Sequence, residues 1–587
     1  MSLPQITVPE GYTLHSENTA HILLPNDNGA FLNPVQEFNR DLSVACITTW
    51  GQQRNEVRKK KQISAQEWRL KRGDKGRKTK KKARTAEAEQ DATAGPSTSN
   101  NADDAETSMP VKQDQPVLHI EAEFKPKDST FTILEALSAT GLRSIRYAKE
   151  IPLVQQVIAN DLSSTAAEAM RRNVELNGLG VSKPDESEEK EEKSPEKKVR
   201  PPQPKVRVNE GDACALMYNH RAVDSRVDVV DLDPYGTAAP FIDAAVQCVA
   251  DDGLLCVTCT DLAVLASTNY SEKCFSNYGG VSVKAEYCHE SALRLVLHTV
   301  STSAARYGRY IEPLLSLSID FYVRLFIRVT SSPIGVKRLA SKNSTYYVCT
   351  HCQSFYDQPL GKIATTMNKV GSGTHDTFKT HSGPPVGDRC PECNSHFHIA
   401  GPMWNGPIHN KDFVSQVLEH IEANESKYGT SPRMKGMLTV AKEELDTPFY
   451  FTPSKIASFF HCVCPSLNQI TSALLHLGHP VSRSHACPGS VKTAAGRDVI
   501  HDIYRTWVKE NPVKMDKISE ASPARVMLAK EAKFEANFEH HPDTVTQSSK
   551  VKVVRYQQNP APNWGPGTKA SSGGSNKRKR QEEGEDE

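Results

Sequence analysis

At 587 residues, 37% of them hydrophobic, the chain is long enough for two or three domains, each with its own core. The net charge of +2 hides uneven blocks: Arg58–Arg84 is densely basic, Asp185–Lys198 mixes both signs, and Lys577–Arg580 precedes an acidic end. No apolar run approaches the roughly 20 residues of a membrane span, and an opening stretch with Glu10 and Glu17 predicts neither a secretory nor a mitochondrial presequence.

In chain order, residues 1–51 read as an amino-terminal lid and the start of the first domain. Gln52–Gln115 is basic and then Ala/Thr/Ser/Asp-rich with almost no apolar period, so 52–116 is expected to be a disordered insertion. Residues 117–330 alternate strand and helix. Phe131–Leu137 is a strand, Gly141–Glu150 a helix, Gln156–Ala159 a second strand, and Ser163–Leu176 a helix stopping near Asn177-Gly178. A Glu/Lys/Pro-rich segment at about 181–205 reads as a second mobile insertion before the short strand Val206–Val208. Val227–Gly236, Val-Asp-Val-Val-Asp-Leu-Asp-Pro-Tyr-Gly, is a buried strand ending in turn chemistry. Ile242–Val249 is helical, Leu254–Cys259 a strand, Ala285–Tyr307 a long helix, and Leu314–Val329 strand-rich. This alternation predicts an α/β fold with a doubly wound, largely parallel, Rossmann-like sheet. Residues 331–543 change to Cys, His, Gly and Pro clusters followed by helices, and 544–587 is expected to be a disordered tail.

The chemistry gathers at strand ends, where open α/β sheets bind ligands. Leu134–Gly141 closes the first strand in small residues and opens a helix, and Asp161 ends the second strand twenty residues beyond Gly141. An acid at that spacing accepts hydrogen bonds from ribose hydroxyls. Asp212 follows the third strand, where its carboxylate and the Ala213 amide are placed to address an adenine edge. Without a Gly-Lys-Ser/Thr loop, this acidic pocket suits a sulfonium cofactor better than a polyphosphate. Pro234 holds Asp233 extended at its strand end, and Asp231 lies on the same face. Cys256 and Cys259 read as core residues.

The acid–Pro–aromatic tip resembles the active-site loop of methyltransferases acting on nucleobase amines. With Phe31-Leu32-Asn33-Pro34, Asn39-Arg40-Asp41, Ser138–Arg143, Asn160-Asp161, Asp231–Gly236 and Gly401–His409, the chain resembles the tRNA guanine-N2 dimethyltransferases, which modify guanosine 26. The resemblance covers most of the chain outside the insertions and tail, and departs at Leu32, where the family commonly has an aromatic. It implies that Arg40, Arg143, Asp161, Asp212 and Ala213 contact S-adenosylmethionine. It also implies that Asp233 engages the target amine, with Phe31 and Tyr235 flanking the base. The backbone carbonyl of Pro234 is then placed to hold the amine's second hydrogen.

Fourteen cysteines suggest reduced thiols and metal ligation. Cys349-x2-Cys352 and Cys390-x2-Cys393 are two knuckles for a closed, structural zinc shell, with His351, His396 and His398 as reserve ligands. The 37 intervening residues exceed the usual spacing, so Gly361–Asp388 is expected to loop out. Phe449–Lys492, with Ser454-Lys455, a helical Leu467–Leu477 and Ser482-Arg483-Ser484-His485, has the groups for phosphate contacts, and the resemblance makes it the tRNA-binding part. A tRNA partner, no membrane, no obligate protein partner, and a nuclear location with a possible mitochondrial pool complete the expectation. The alternatives are an adenine or cytosine amino-methyltransferase, and a non-enzymatic RNA chaperone with a vestigial cofactor fold.

Overall fold

The computed structural model describes residues 6–26, 32–90, 124–180, 203–367 and 373–550. Phe31, residues 91–116 of the first expected insertion, residues 181–202 of the second, and residues beyond 550 lie outside the described residues.

A hairpin of β1 (Tyr12–Glu17) and β2 (Ala20–Pro25) precedes helix α1 (Glu37–Gln90). Then come β3 (Phe131–Glu135), α2 (Leu142–Glu150), β4 (Val154–Asp161), α3 (Ser164–Leu176), β5 (Val206–Glu210), α4 (Ala213–Asn219) and β6 (Val227–Leu232). Helix α5 (Ala239–Cys248) leads into β7 (Val249–Cys259), the short helices α6 (Leu262–Leu265) and α7 (Ser271–Tyr278), the buried α8 (Cys288–Ala305), and the hairpin β8 (Arg309–Ile319) and β9 (Tyr322–Ser331). One seven-stranded sheet results, in the order β5-β4-β3-β6-β7-β9-β8. Strands β3 to β7 pair in parallel, and β9 is antiparallel to both its neighbours.

Side chains alternate across this sheet with period two. Leu134, Val230 and Leu232 face a core shared with α5 and α8, while Ile133 and Val229 face one shared with α1 and α2. The chain builds outward from β3 to β5, then returns to β6 on the other side. The crevice between the carboxyl ends of β3 and β6 is therefore the topological switch point.

The boundary at 52 differs from expectation. α1 continues through residue 52 instead of stopping, and Asn55 and Gln62 bond to the backbone of Ser129 and Lys127 at 2.8 and 3.0 Å. Lys-, Arg- and Gln-rich sequence favours helix without an apolar stripe once the helix leaves the core, which is why periodicity is silent there.

After α9 (Pro333–Arg338), the strands β10 (Asn343–Cys349), β11 (Phe355–Pro359), β12 (Gly361–Met367), β13 (Thr374–Thr380) and β14 (Phe397–Trp404) follow. β10 is the centre of a three-stranded sheet with β11 and β14. β12 and β13 pair as a hairpin, so the expected loop between the knuckles is partly strand. Helices α10 (Lys411–Ala423) and α11 (Ser431–Glu443) return to the main body, where Phe413, Val417, Ile421 and Leu438 join the core of α1. The packing thus crosses the boundary expected at 330. A third core joins the knuckle cysteines to α12 (Pro453–Phe460), α13 (Leu467–His476), α14 (Arg497–Glu510) and α15 (Pro523–Ala529). Residues 544–550, expected to belong to the tail, are packed on the body, where Ser548 donates its amide to Glu443 at 3.1 Å.

Candidate active site

At the switch point, the turn after β3 is sharp. Ala139 and Gly141 both take left-handed φ, 47° and 79°, and α2 starts on Gly141 with no side-chain cap. A Cβ on Gly141 would come within 3.1 Å of Met170, so glycine answers both the conformation and the close approach of α3. Asp161 braces this turn: Oδ2 accepts the Ala139 amide at 2.9 Å and Oδ1 that of Ser163 at 3.0 Å. Beneath it, the buried Asn160 donates to the carbonyls of Ala136 at 2.9 Å and Gly211 at 3.1 Å, which joins three strand-end loops. Sequence reading singled Asn160 out without a role; the geometry makes it a positioning residue.

Across the crevice, Asp233 is half-buried and accepts from Arg143 through Oδ2. The buried Arg143 guanidinium also lies 3.5 Å from Glu135 and 3.7 Å from Asp231. Asp231 accepts from Arg324 at 2.7 Å and from the Tyr147 hydroxyl at 2.6 Å. Burial opposes its ionisation, but the Arg324 and Arg143 guanidiniums outweigh that and hold its pKa below the ordinary carboxylate value. Glu135 shows the opposite balance. Burial pushes it up to about 8 despite Arg143, so it is largely protonated at neutral pH. Two buried carboxyls thus flank one arginine in different protonation states.

These groups line one cavity of about 620 Å³. It collects Arg40, Arg143, Asp161, Asp233, Pro234 and Tyr235 from the expected site. Arg40 also makes a two-pronged pair with Glu17, at 2.7 Å through Nε. Asp212 and Ala213 are not among its lining residues. Asp212 instead caps α4, accepting the Ala215 amide at 2.7 Å. Sequence reading missed Thr260, whose hydroxyl accepts the Gly236 amide at 2.8 Å and steadies the loop carrying Tyr235, and it missed Asp320 and Phe321.

The four knuckle cysteines meet as expected from their spacing. All are buried, with Sγ–Sγ distances of 3.3 Å for Cys349–Cys393 and 3.7 Å for Cys352–Cys390. A tetrahedral zinc with bonds of about 2.3 Å needs sulfurs about 3.8 Å apart, so the donor set fits that ion. Both knuckles turn alike: Gln353 and Asn394, each just after a second cysteine, take left-handed φ. His351, His396 and His398 are not part of the four-sulfur cluster.

A second buried group, His409, Glu444 and His485, has metal-like proximity but the wrong hydrogens. The Ser316 amide donates to His409 Nδ1 at 3.4 Å and the Ser318 amide to His485 Nε2 at 3.1 Å. Each ring's other nitrogen therefore carries hydrogen and faces Glu444, at 3.5 and 2.6 Å. Lys492 supplies the positive charge, 3.0 Å from Glu444. The group is a polar tie between β8 and the carboxyl-terminal half. It corrects the expectation for Ser484, His485 and Lys492, which are buried here and unavailable to phosphate; Ser454 and Lys455 remain exposed.

A family model described as N2,N2-dimethylguanosine tRNA methyltransferase matches residues 11–505. The tRNA (guanine(26)-N(2))-dimethyltransferase of Schizosaccharomyces pombe is 42% identical over 557 residues, covering 94% of this chain and 92% of that protein. The human protein of that name is 41% identical, over 96% of this chain and 78% of its own length. A mitochondrial form from Saccharomyces cerevisiae is 40% identical, over 96% and 93%. Among solved structures, Trm1 from Pyrococcus horikoshii with S-adenosyl-L-methionine matches with a TM-score of 0.56 at 23% identity, covering 83% of this chain and 98% of that one. That likeness establishes the α/β methyltransferase fold.

Proposed function

The chain belongs to the N2,N2-dimethylguanosine tRNA methyltransferase family, and from that premise we infer that it methylates N2 of guanosine 26 in tRNA, once and then again, using S-adenosylmethionine. The observation that carries this reading is the placement of Asp233-Pro234-Tyr235 opposite Asp161 in one cavity at the switch point.

The cavity fits the cofactor by its donor set. Asp161 offers carboxylate oxygens at a strand end, the uncapped amides of α2 lie beside it, and no lysine is among the lining residues. When bound, S-adenosylmethionine supplies an electrophilic sulfonium methyl. The guanine amine is a weak nucleophile because its lone pair is delocalised into the ring, so the protein must align it and accept its proton. Asp233 holds Arg143 through Oδ2, which leaves Oδ1 for the amine, and the Pro234 carbonyl takes the second N–H. Alignment contributes up to ~7–11 kcal/mol and positioned proton transfer roughly 10²–10⁴-fold. Extruding the base costs a few kcal/mol, offset by ~1–3 kcal/mol of stacking on an aromatic such as Tyr235. Phe31 is assigned to the same contact by the resemblance alone.

The knuckles hold structural zinc, and residues 331–543 supply the tRNA surface. The basic runs Arg58–Arg84 and Lys577–Arg580 support a nuclear pool, and the mitochondrial relative supports a mitochondrial one. Labelled S-adenosylmethionine incubated with bulk tRNA and the purified chain, followed by nucleoside analysis, tests the reading. Label is expected in N2-methyl- and N2,N2-dimethylguanosine. Label in adenosine or cytidine would favour the alternative enzyme, and RNA binding without transfer would favour the chaperone.

Asp161→Ala is expected to weaken cofactor binding by about 1–3 kcal/mol, since charge-assisted bonds to the ribose are lost. Calorimetry on the folded variant checks this. Unchanged affinity would leave Asp161 as a brace for the Ala139 turn only.

A further inference from the structure

Among the described residues, the two most exposed aromatic rings are Tyr235, at 84%, and Phe321, at 75%, and both line the same cavity. Tyr235 lies two residues after the catalytic acid, separated from it by Pro234. Phe321 arrives from the far end of the sheet by topology. β8 is parallel to β7, because β9 reverses between them, so its carboxyl end returns to the edge where β3 and β6 end. Ile319 pairs with Tyr322, which leaves Asp320 and Phe321 as a two-residue loop, with Asp320 at φ 44°. A positive φ at the first residue is what such loops require, and Phe321 at the second is exposed.

The loop is clamped. Asp320 Oδ2 accepts from Arg433 at 2.7 Å, and the buried Arg433 guanidinium lies 4.6 Å from the Phe38 ring centroid. Arg433 belongs to α11 and Phe38 to α1, so the tip carrying Phe321 is tied to two helices of the main body. A large ring held in place yet exposed at a cavity mouth is the arrangement of a stacking platform. It forgoes burial in the free protein and recovers it against a planar ligand.

We propose that Phe321, positioned by the Asp320–Arg433 pair, is a substrate-binding residue that stacks on one face of the extruded target purine with Tyr235 on the other, in the place that the resemblance alone gives to Phe31. This rests on the tRNA guanine reading. Phe321 has no donor or acceptor, so it supplies affinity and orientation while Asp233 recognises the amine. The ring acts on the base, not the phosphate backbone.

The test uses the full chain with two tRNAs, one intact and one abasic at the target position. With wild-type protein methylating the intact tRNA, Phe321→Ala is expected to lower kcat/KM for tRNA by about 5- to 150-fold, the range of one lost base stack. Cofactor affinity and Tm should stay unchanged, and Phe321→Trp should restore most of the activity. Abasic tRNA should bind wild type and Phe321→Ala equally. Wild-type activity in Phe321→Ala, or an equal loss of affinity for abasic tRNA, overturns the stacking role. Failure of wild type to modify a tRNA guanosine overturns the functional reading instead.

Discussion

Asp233→Asn is expected to abolish methyl transfer, with kcat lower by at least roughly 10²–10⁴-fold, while S-adenosylmethionine still binds. The amide keeps the shape of the carboxylate and can still face Arg143, but it cannot take the proton released as the amine is alkylated. Folding should survive the change, because Arg143 keeps Glu135 and Asp231 within 3.5 and 3.7 Å. Asp161 and the turn it braces lie on other strands, so calorimetric affinity for the cofactor separates the two functions of the cavity. Single-turnover measurements with saturating tRNA remove any binding defect from the comparison. Near-normal turnover in the folded variant would take Asp233 out of the catalytic role and move attention to the cavity's other carboxyls, Glu135, Asp161 and Asp320.

The parts of this site that were legible share one property: their local sequence constrains their geometry. Pro234 fixes Asp233, and an apolar run ending in an acid announces Asp161, because buried parallel strands read as continuous hydrophobic stretches. Arg40 and Arg143 carried no such signal. They sit within helices, their charges are satisfied by Glu17, Glu135 and Asp231, and only the family resemblance singled them out. Asp320 and Phe321 were hidden for a different reason. Their loop contains neither glycine nor proline, so β8 and β9 merge into one strand-rich segment, and their approach to the site depends on strand order. The basic stretch at 482–492 misled because its polar groups satisfy each other inside the protein, with Glu444 at the centre, and burial of a compensated network leaves no trace in composition. The long helix α1 and the hairpin between the knuckles failed together. From residue 52 on, α1 is rich in Lys, Arg and Gln, and β12 and β13 leave most of their side chains exposed, so neither shows the apolar period by which helices and strands are read.

Cys349→Ser or Cys393→Ser should release one metal ion per chain and lower the thermal stability of the carboxyl-terminal half. The four thiols sit in the same core as Phe451, Ile456, Phe460, Ile500 and Tyr504, so an emptied shell leaves three thiols and a hydroxyl in apolar surroundings without the ion that held them together. The second knuckle is also the anchor of α14. Glu392, beside Cys393, accepts from His501 at 2.9 Å and Arg505 at 3.0 Å. Burial disfavours its charge, but those two partners hold its pKa down at about 2, so the tie persists at neutral pH whenever the knuckle is in place. Apparent zinc binding of ~10–16 kcal/mol in small peptides shows how much folding free energy such a shell can supply. Asp161 ends β4 and Asp233 follows β6, strands packed in the other cores, so cofactor binding should persist while tRNA affinity falls. Elemental analysis of chelator-free protein, then melting curves of wild type and variants, checks each step. Absence of zinc from the wild type, or identical melting and tRNA binding in the variants, would return the four cysteines to ordinary buried thiols.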